Sequence, residues 1–217
     1  MKTDLQLQQD VLAELHWEPS VHAENIGVEA NDGVVTLAGH VMTYQEKYHA
    51  EKAARRVVGV RALAVEIDVK LASSGIRNDS DIANSAKNAL QWMSTPLGNK
   101  VNVTVEKGWI TLTGQTEWQF QKLAAAVAVR YLMGVNGVSN QIILQPGTKL
   151  SAAKADIEAA LVRRAHTDAG KINIDIDGST LTLTGNVSNW TERDTAKEAA
   201  WSTPGVTSVV DKMTMTF

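Results

Sequence analysis

A five-residue pattern recurs three times along this chain. Val35-Thr36-Leu37-Ala38-Gly39, Ile110-Thr111-Leu112-Thr113-Gly114 and Leu181-Thr182-Leu183-Thr184-Gly185 each read as a short alternating strand that runs into a glycine. Twenty residues after each glycine stands a Gly-Val pair: Gly59-Val60, Gly134-Val135 and Gly205-Val206. The offsets between copies are 75 and then 71 residues at both landmarks. A register kept at two separated glycines makes the 217 residues one small unit written three times. Units of about 70 residues bury limited apolar area, so packing of the copies on one another is expected.

Each copy opens with a helical periodicity: Leu7/Val11/Leu15, Ile82/Ala86/Leu90 and Ile157/Leu161/Ala165. A first strand follows at 26–28, 101–105 and 172–176. The pairs Asp32-Gly33, Lys107-Gly108 and Asp177-Gly178 then predict two-residue hairpin turns. After the repeated strand, its glycine is expected to lead into a second helix over 44–57, 119–133 and 190–202. Thr43 with Glu46, and Asn189 with Glu192, have capping-box spacing. Ala50/Ala53, Ala125/Ala128 (with Leu132) and Ala196/Ala199 let that helix lie close to a sheet. The Gly-Val glycine is expected to cap it, and closing strands are expected over 65–69, 141–144 and 212–216. The fold class is α+β: three tandem αββαβ modules, each a three-stranded mixed sheet packed with two helices, over 1–71, 77–146 and 152–217. The β-α-β half predicts a parallel crossover. Gly39, Gly114, Gly185, Gly59, Gly134 and Gly205 are structural glycines.

These features together resemble the BON (bacterial OsmY and nodulation) domain, three times over. The resemblance implies a bacterial, non-enzymatic protein linked to osmotic shock, envelope integrity and attachment to phospholipid. Many relatives are periplasmic or lipoproteins and carry two copies; this chain has three. Its start, Met1-Lys2-Thr3-Asp4-Leu5-Gln6, lacks the apolar region and cleavage site of an export signal, which predicts a cytoplasmic protein. A periplasmic or membrane-associated site is the family-based alternative.

Chemistry-bearing patterns are sparse. There is no cysteine, hence no disulfide or thiolate site. The five histidines, His16, His22, His40, His49 and His166, show no metal-ligand spacing and no equivalence between copies. No catalytic residue, metal or cofactor is assigned. Asp175 and Asp177 offer two carboxylates to a cation, against the plainer reading of a solvated strand face and turn. A net charge of −3 does not indicate a nucleic-acid surface.

The copies differ most on the second helix. Copy one has Gln45, Tyr48 and Lys52, and copy three has Thr191, Asp194 and Glu198. Copy two has Phe120, Leu123 and Val127, continuing to Tyr131. These four form one stripe at 100° per residue, roughly opposite the alanines. Lys122 and Arg130 are read as edging it, and Trp118 as sitting at the helix start. Such a strip suits the headgroup boundary of an anionic phospholipid surface, with salt-sensitive binding. Two readings stand. The stripe meets lipid or an envelope partner, or it is covered by other copies or by subunits of a homo-oligomer that forms a scaffold or solute path. A cytoplasmic cation-linked osmotic-stress protein is a third. Trp109 points outward, either as a further contact residue or as packing between copies. Lys47 and Arg193 are candidate contact residues too; they share a basic column with Lys122 and are otherwise locally paired, for example Lys47 with Glu51. Trp17 and Trp92 are expected to cover the core edge.

Overall fold

A computed structural model describes residues 2–93, 100–145, 159 and 172–216. The chain divides into two compact units, Met1–Gly114 with Leu123–Ile142, and Gln115–Lys122 with Ile143–Phe217. The first module runs α1 (Asp4–Trp17), β1 (Ile26–Asn31), β2 (Val34–Val41), α2 (Tyr44–Arg56) and β3 (Ala62–Val69). The second runs α3 (Asp79–Gln91), β4 (Val101–Glu106), β5 (Trp109–Thr116), α4 (Gln119–Arg130), β6 (Gly137–Asn140) and β7 (Ile143–Leu144). The third contributes β8 (Ile172–Asp177), β9 (Thr180–Val187), α5 (Trp190–Trp201) and β10 (Ser208–Met215). The periodic segment Ile157/Leu161/Ala165 lies outside the described residues.

Every sheet is mixed, as the sequence predicts. The first two strands of each module pair antiparallel, and the third joins the middle strand in parallel. Among the described residues, one face of each sheet packs against helices, and in the first two modules both helices lie on that face. Val35 and Leu37 of β2 are buried with Leu7, Val11 and Leu15 of α1 and Ala50, Ala53 and Ala54 of α2, while Val34 and Ala38 face solvent. Ile82, Ala86 and Leu90 of α3 fill the same role in the second module. The buried small column includes Ala54, Val129 and Ala200, beyond the alanines read from sequence. Ala128 and Leu132 are only half-buried.

The helix starts follow capping chemistry. Thr3 Oγ1 accepts from the Gln6 N–H while Gln6 Oε1 accepts from the Thr3 N–H, a capping box on α1. Thr43 Oγ1 accepts from the Glu46 N–H, and Asn189 Oδ1 from the Glu192 N–H. The glutamates reach one residue further back than a capping box requires, to the Met42 and Ser188 N–H groups.

Four local expectations change. The repeated glycine lies inside the strand, which continues through His40-Val41, Gln115-Thr116 and Asn186-Val187. Gly39, Gly114 and Gly185 have φ of 137°, 120° and 119°. A Cβ on Gly39 would strike the Asn25 carbonyl oxygen, and one on Gly114 that of Lys100. The second glycine does not cap its helix. Hydrogen bonds Val60 N–H to Val57 O, Val135 N–H to Leu132 O and Val206 N–H to Thr203 O enclose turns beyond the helix end. Gly59, Gly134 and Gly205 hold the third position with φ of 108°, 87° and 88°, the signature of a type II turn. Pro204 occupies the second position of the last one, where proline is favoured. The third hairpin turns at Gly178-Ser179, because Asp177 pairs with Thr180. Asp32-Gly33 and Lys107-Gly108 have positive φ at both residues, as type I′ requires, whereas Gly178 comes first in its pair, the type II′ preference. Finally, the second module's closing strand starts at Gly137 and is broken between β6 and β7.

A carboxylate fastens the first two hairpins to their helices. Asp4 Oδ2 and Oδ1 accept from the Asp32 and Gly33 N–H groups at 3.0 and 3.3 Å. Asp79 accepts from Lys107 and Gly108, both at 2.8 Å. Gly114→Ala is expected to destabilise the fold by about 3 kcal/mol through positive φ and backbone overlap. Asp79→Ala should cost about 2 kcal/mol through two lost charge-assisted hydrogen bonds. Urea denaturation of each variant measures both.

Candidate functional site

The α4 stripe is open to solvent. Phe120, Leu123, Val127 and Tyr131 are 56%, 51%, 43% and 50% exposed. The opposite side of the helix is closed, with Ala125, Ala126 and Val129 buried. The helix is therefore held to its sheet by small residues and presents its large apolar ones outward. Met133, just past the helix, extends the exposed surface. Trp118 is half-buried, its ring centroid 6.5 Å from that of Phe120 at a 33° tilt. Gln121 Oε1 accepts from the Glu117 and Trp118 N–H groups and fixes the approach to the helix.

One of the two expected cations, Arg130, is engaged away from this stripe. The Arg130 guanidinium lies 3.6 Å from the centroid of the Tyr48 ring on α2 of the first module. Its Nε is buried without a hydrogen-bond partner among the described residues, so stacking on the ring is its main visible engagement. Tyr44, one turn before Tyr48, packs against the second module's core. Lys122 is half-buried in a column that faces the third strand in the sister modules. There Lys47 Nζ donates to the Ile67 carbonyl at 2.6 Å, and Arg193 Nε to Asp211 at 2.7 Å. Lys47 is thus locally engaged with a strand carbonyl, while Glu51 takes Arg55 at 2.5 Å. Arg193 also lies 5.2 Å from the Trp190 ring centroid.

The other tryptophans separate clearly. Trp109 is half-exposed on the sheet face away from the helices, its ring against Gly137, where a Cβ would collide with the indole. Trp17 and Trp92 do not cover the core edge. They are 84% and 88% exposed because the inward positions at those helix ends are already filled by Leu15 and Leu90. Trp201 is half-buried against the third module's core. Asp175 and Asp177 are exposed strand residues opposite Thr182 and Thr180. Among the described residues they do not gather with a third metal-ligating side chain. No helix of the described residues is long and apolar enough to cross a membrane.

One cluster was not legible in sequence. The Ser20 hydroxyl lies 2.8 Å from Glu18 Oε1 and 2.5 Å from His49 Nδ1. Arg56 joins Glu18 and Glu14 at 2.9 Å each. Ser20 sits between the acid and the histidine, so the acid does not orient the imidazole as a nucleophile-activating triad needs. The arrangement instead ties the end of α1 to α2. Nearby, buried Glu46 accepts from the His22 N–H at 2.8 Å and the Met42 N–H at 3.0 Å, with His22 Nδ1 at 2.9 Å. The only sequence signal was Glu46 at capping-box spacing.

The BON domain family matches the chain over residues 3–70, 78–146 and 149–216. The chain belongs to the BON family. No curated protein matches it. Among solved structures, a CdsD structure, a structural protein of the type III secretion system of Chlamydia trachomatis, is 14% identical with a TM-score of 0.27, covering 96% of this chain and 91% of that one. The C-terminal domain of CdsD is 13% identical with a TM-score of 0.27, and both chains are covered completely, at 100%. The PrgH periplasmic domain is 11% identical with a TM-score of 0.24, covering 89% of this chain and 96% of that one. At such scores these likenesses carry no structural or functional argument.

Acid should loosen the first BON domain. Ser20 and Arg56 hydrogen bonds hold the Glu18 carboxyl below its ordinary 4.5. Burial raises Glu46, but hydrogen bonds from His22 and Met42 outweigh it and leave that carboxyl lowered too. Groups with lowered folded values stabilise above the unfolded carboxylate value and lose that contribution as pH falls through the folded one. Melting temperature is therefore expected to drop as pH falls below 4.5, and Glu46→Gln should flatten that slope. Thermal melts across acidic pH check this.

Proposed function

We propose that this BON protein is a non-enzymatic bacterial stress and envelope-protection protein that attaches to phospholipid surfaces through the outer face of α4. The exposed stripe Phe120, Leu123, Val127 and Tyr131 carries this reading. In water these side chains gain nothing from the sheet their helix packs on. At the headgroup boundary they would reach acyl chains, while the half-buried Trp118 offers an amphipathic ring at the same end. The family resemblance, with its link to osmotic shock and phospholipid attachment, points the same way.

The structure changes the expected energetics. With Arg130 stacked on Tyr48, the stripe loses one of its two neighbouring cations. A basic residue near an anionic surface contributes about 1 kcal/mol, so charge becomes the minor part. Completing the burial of a half-exposed large apolar side chain contributes on the order of 1 kcal/mol. Four of them give weak attachment per chain, dominated by insertion and only mildly sensitive to salt.

Flotation with phosphatidylcholine vesicles, with and without phosphatidylglycerol, tests this. The protein should float with both, somewhat more with the anionic lipid, and persist in high salt. Leu123→Glu should weaken binding by about tenfold or more, since one charge forced toward the acyl boundary costs over 1.4 kcal/mol. Absence of flotation, or binding indifferent to Leu123→Glu, would overturn the reading. Capture only by an envelope protein would replace the lipid with that partner.

A further inference from the structure

Trp109 stands where the sister modules carry Val34 and Thr180. Its partner on the parallel strand is Gly137, where they carry Ala62 and Ser208. An indole beside a glycine is peculiar to the second module. Gly137 is not among the glycines with positive φ, so backbone conformation does not call for glycine there. Space does. A Cβ on Gly137 would lie 2.3 Å from Cε3, 2.3 Å from Cζ3 and 2.8 Å from Cη2 of Trp109. A ring standing on edge cannot bring three consecutive carbons that close to one point, so the Cβ position lies beneath the ring face. The indole therefore lies flat across the neighbouring strand, in the place of the missing side chain. Trp109 is 50% exposed, so its other face is turned to solvent.

The chemistry around this ring is polar. Paired residues project to the same side of a sheet, as do residues two apart along a strand. Glu106 pairs with Trp109; Thr111, the next residue on that side, pairs with Thr104 and Ser139. Glu106 and Thr104 are exposed, and Thr111 and Ser139 half-buried. Among the described residues no hydrogen bond or ion pair holds the Glu106 carboxylate. An apolar partner laid on the indole would strip water from this carboxylate and these hydroxyls and give nothing back. A nucleic acid could stack its bases there but would bring phosphates toward Glu106. A pyranose with its substituents equatorial suits both halves: a flat face of C–H groups, and a rim of hydroxyls.

We propose that Trp109 is a stacking platform for a neutral β-linked saccharide, with Glu106, Thr104, Thr111 and Ser139 hydrogen-bonding the hydroxyls at its rim. The indole supplies apolar contact to the C–H face. Glu106 accepts, and the threonine hydroxyls accept or donate. Ser139 Oγ accepts from Gln141 Nε2 at 3.4 Å and keeps its own proton to donate. Gly137 is a positioning residue: it keeps the ring flat and lies beneath it. All of these residues belong to the compact unit Met1–Gly114 with Leu123–Ile142, so the platform is complete within it. It lies on the sheet face away from α4 and does not rest on the phospholipid reading.

Heteronuclear NMR of the full chain reads the indole N–H signals of the six tryptophans, with Trp109→Phe assigning the one at issue. Titration with cellotetraose or chitotetraose should move the Trp109 signal saturably and leave the rest in place. Gly137→Ala should tilt the ring and weaken binding about tenfold, with the melting temperature kept. Thr111→Val, which removes a hydroxyl at constant shape, should weaken it too. Leu123→Glu should bind sugar as wild type does, so that this proposal and the lipid reading fail separately. An unmoved Trp109 signal with both sugars overturns the proposal, as does a folded Gly137→Ala variant that binds as tightly as wild type. A Trp109 signal that moves with protein concentration alone, or with a thymidine oligonucleotide and not with sugar, also overturns it and gives the face to a second copy or to nucleic acid.

Discussion

Alanine packed on a β-sheet governs each module. Ala50, Ala53 and Ala54 are fully buried beneath α2, and Ala196, Ala199 and Ala200 hold α5 in the same way. Side chains this small let the helix backbone come close to the strands, so neighbouring columns also reach the sheet. Lys47 touches the Ile67 carbonyl and Arg193 touches Asp211 for that reason. A cation that reads as outward on a helical wheel is drawn sideways onto the third strand. What remains outside on this helix is a narrow strip, where the three copies diverge without disturbing the fold.

The repeat, the mixed sheets and the first-helix cores at Leu7/Val11/Leu15 and Ile82/Ala86/Leu90 were legible because each rests on periodicity within one segment. The exposure of Phe120, Leu123, Val127 and Tyr131 follows from the same periodicity once the alanine face is known. Other features depend on partners far away in sequence. Ser20 meets His49, Glu46 meets His22, and Arg130 meets Tyr48, none with a local spacing that announces the contact. Trp17 and Trp92 misled for a related reason. A large aromatic residue at a helix end suggests cover for a core, but the layer beneath was already complete.

Glycine was informative in type and misleading in place. Gly39 and Gly114 look like strand ends because glycine is a poor strand residue. They persist inside strands because the chain ahead of β1 and β4 comes too close for any side chain. In the third module, Gly178 moves one position earlier in its turn, which breaks the 71-residue correspondence with Gly108 by one. A glycine shifted within a two-residue turn changes turn type and leaves strand pairing intact, so the sheet register survives.

The aspartates at the start of α1 and α3 make two distant parts of each of the first two modules mechanically one. Asp4 and Asp79 each bolt a hairpin tip to a helix N-terminus, across a sequence separation of 28–29 residues. Fraying of that helix and opening of that hairpin become a single event, with the helix acting as a latch.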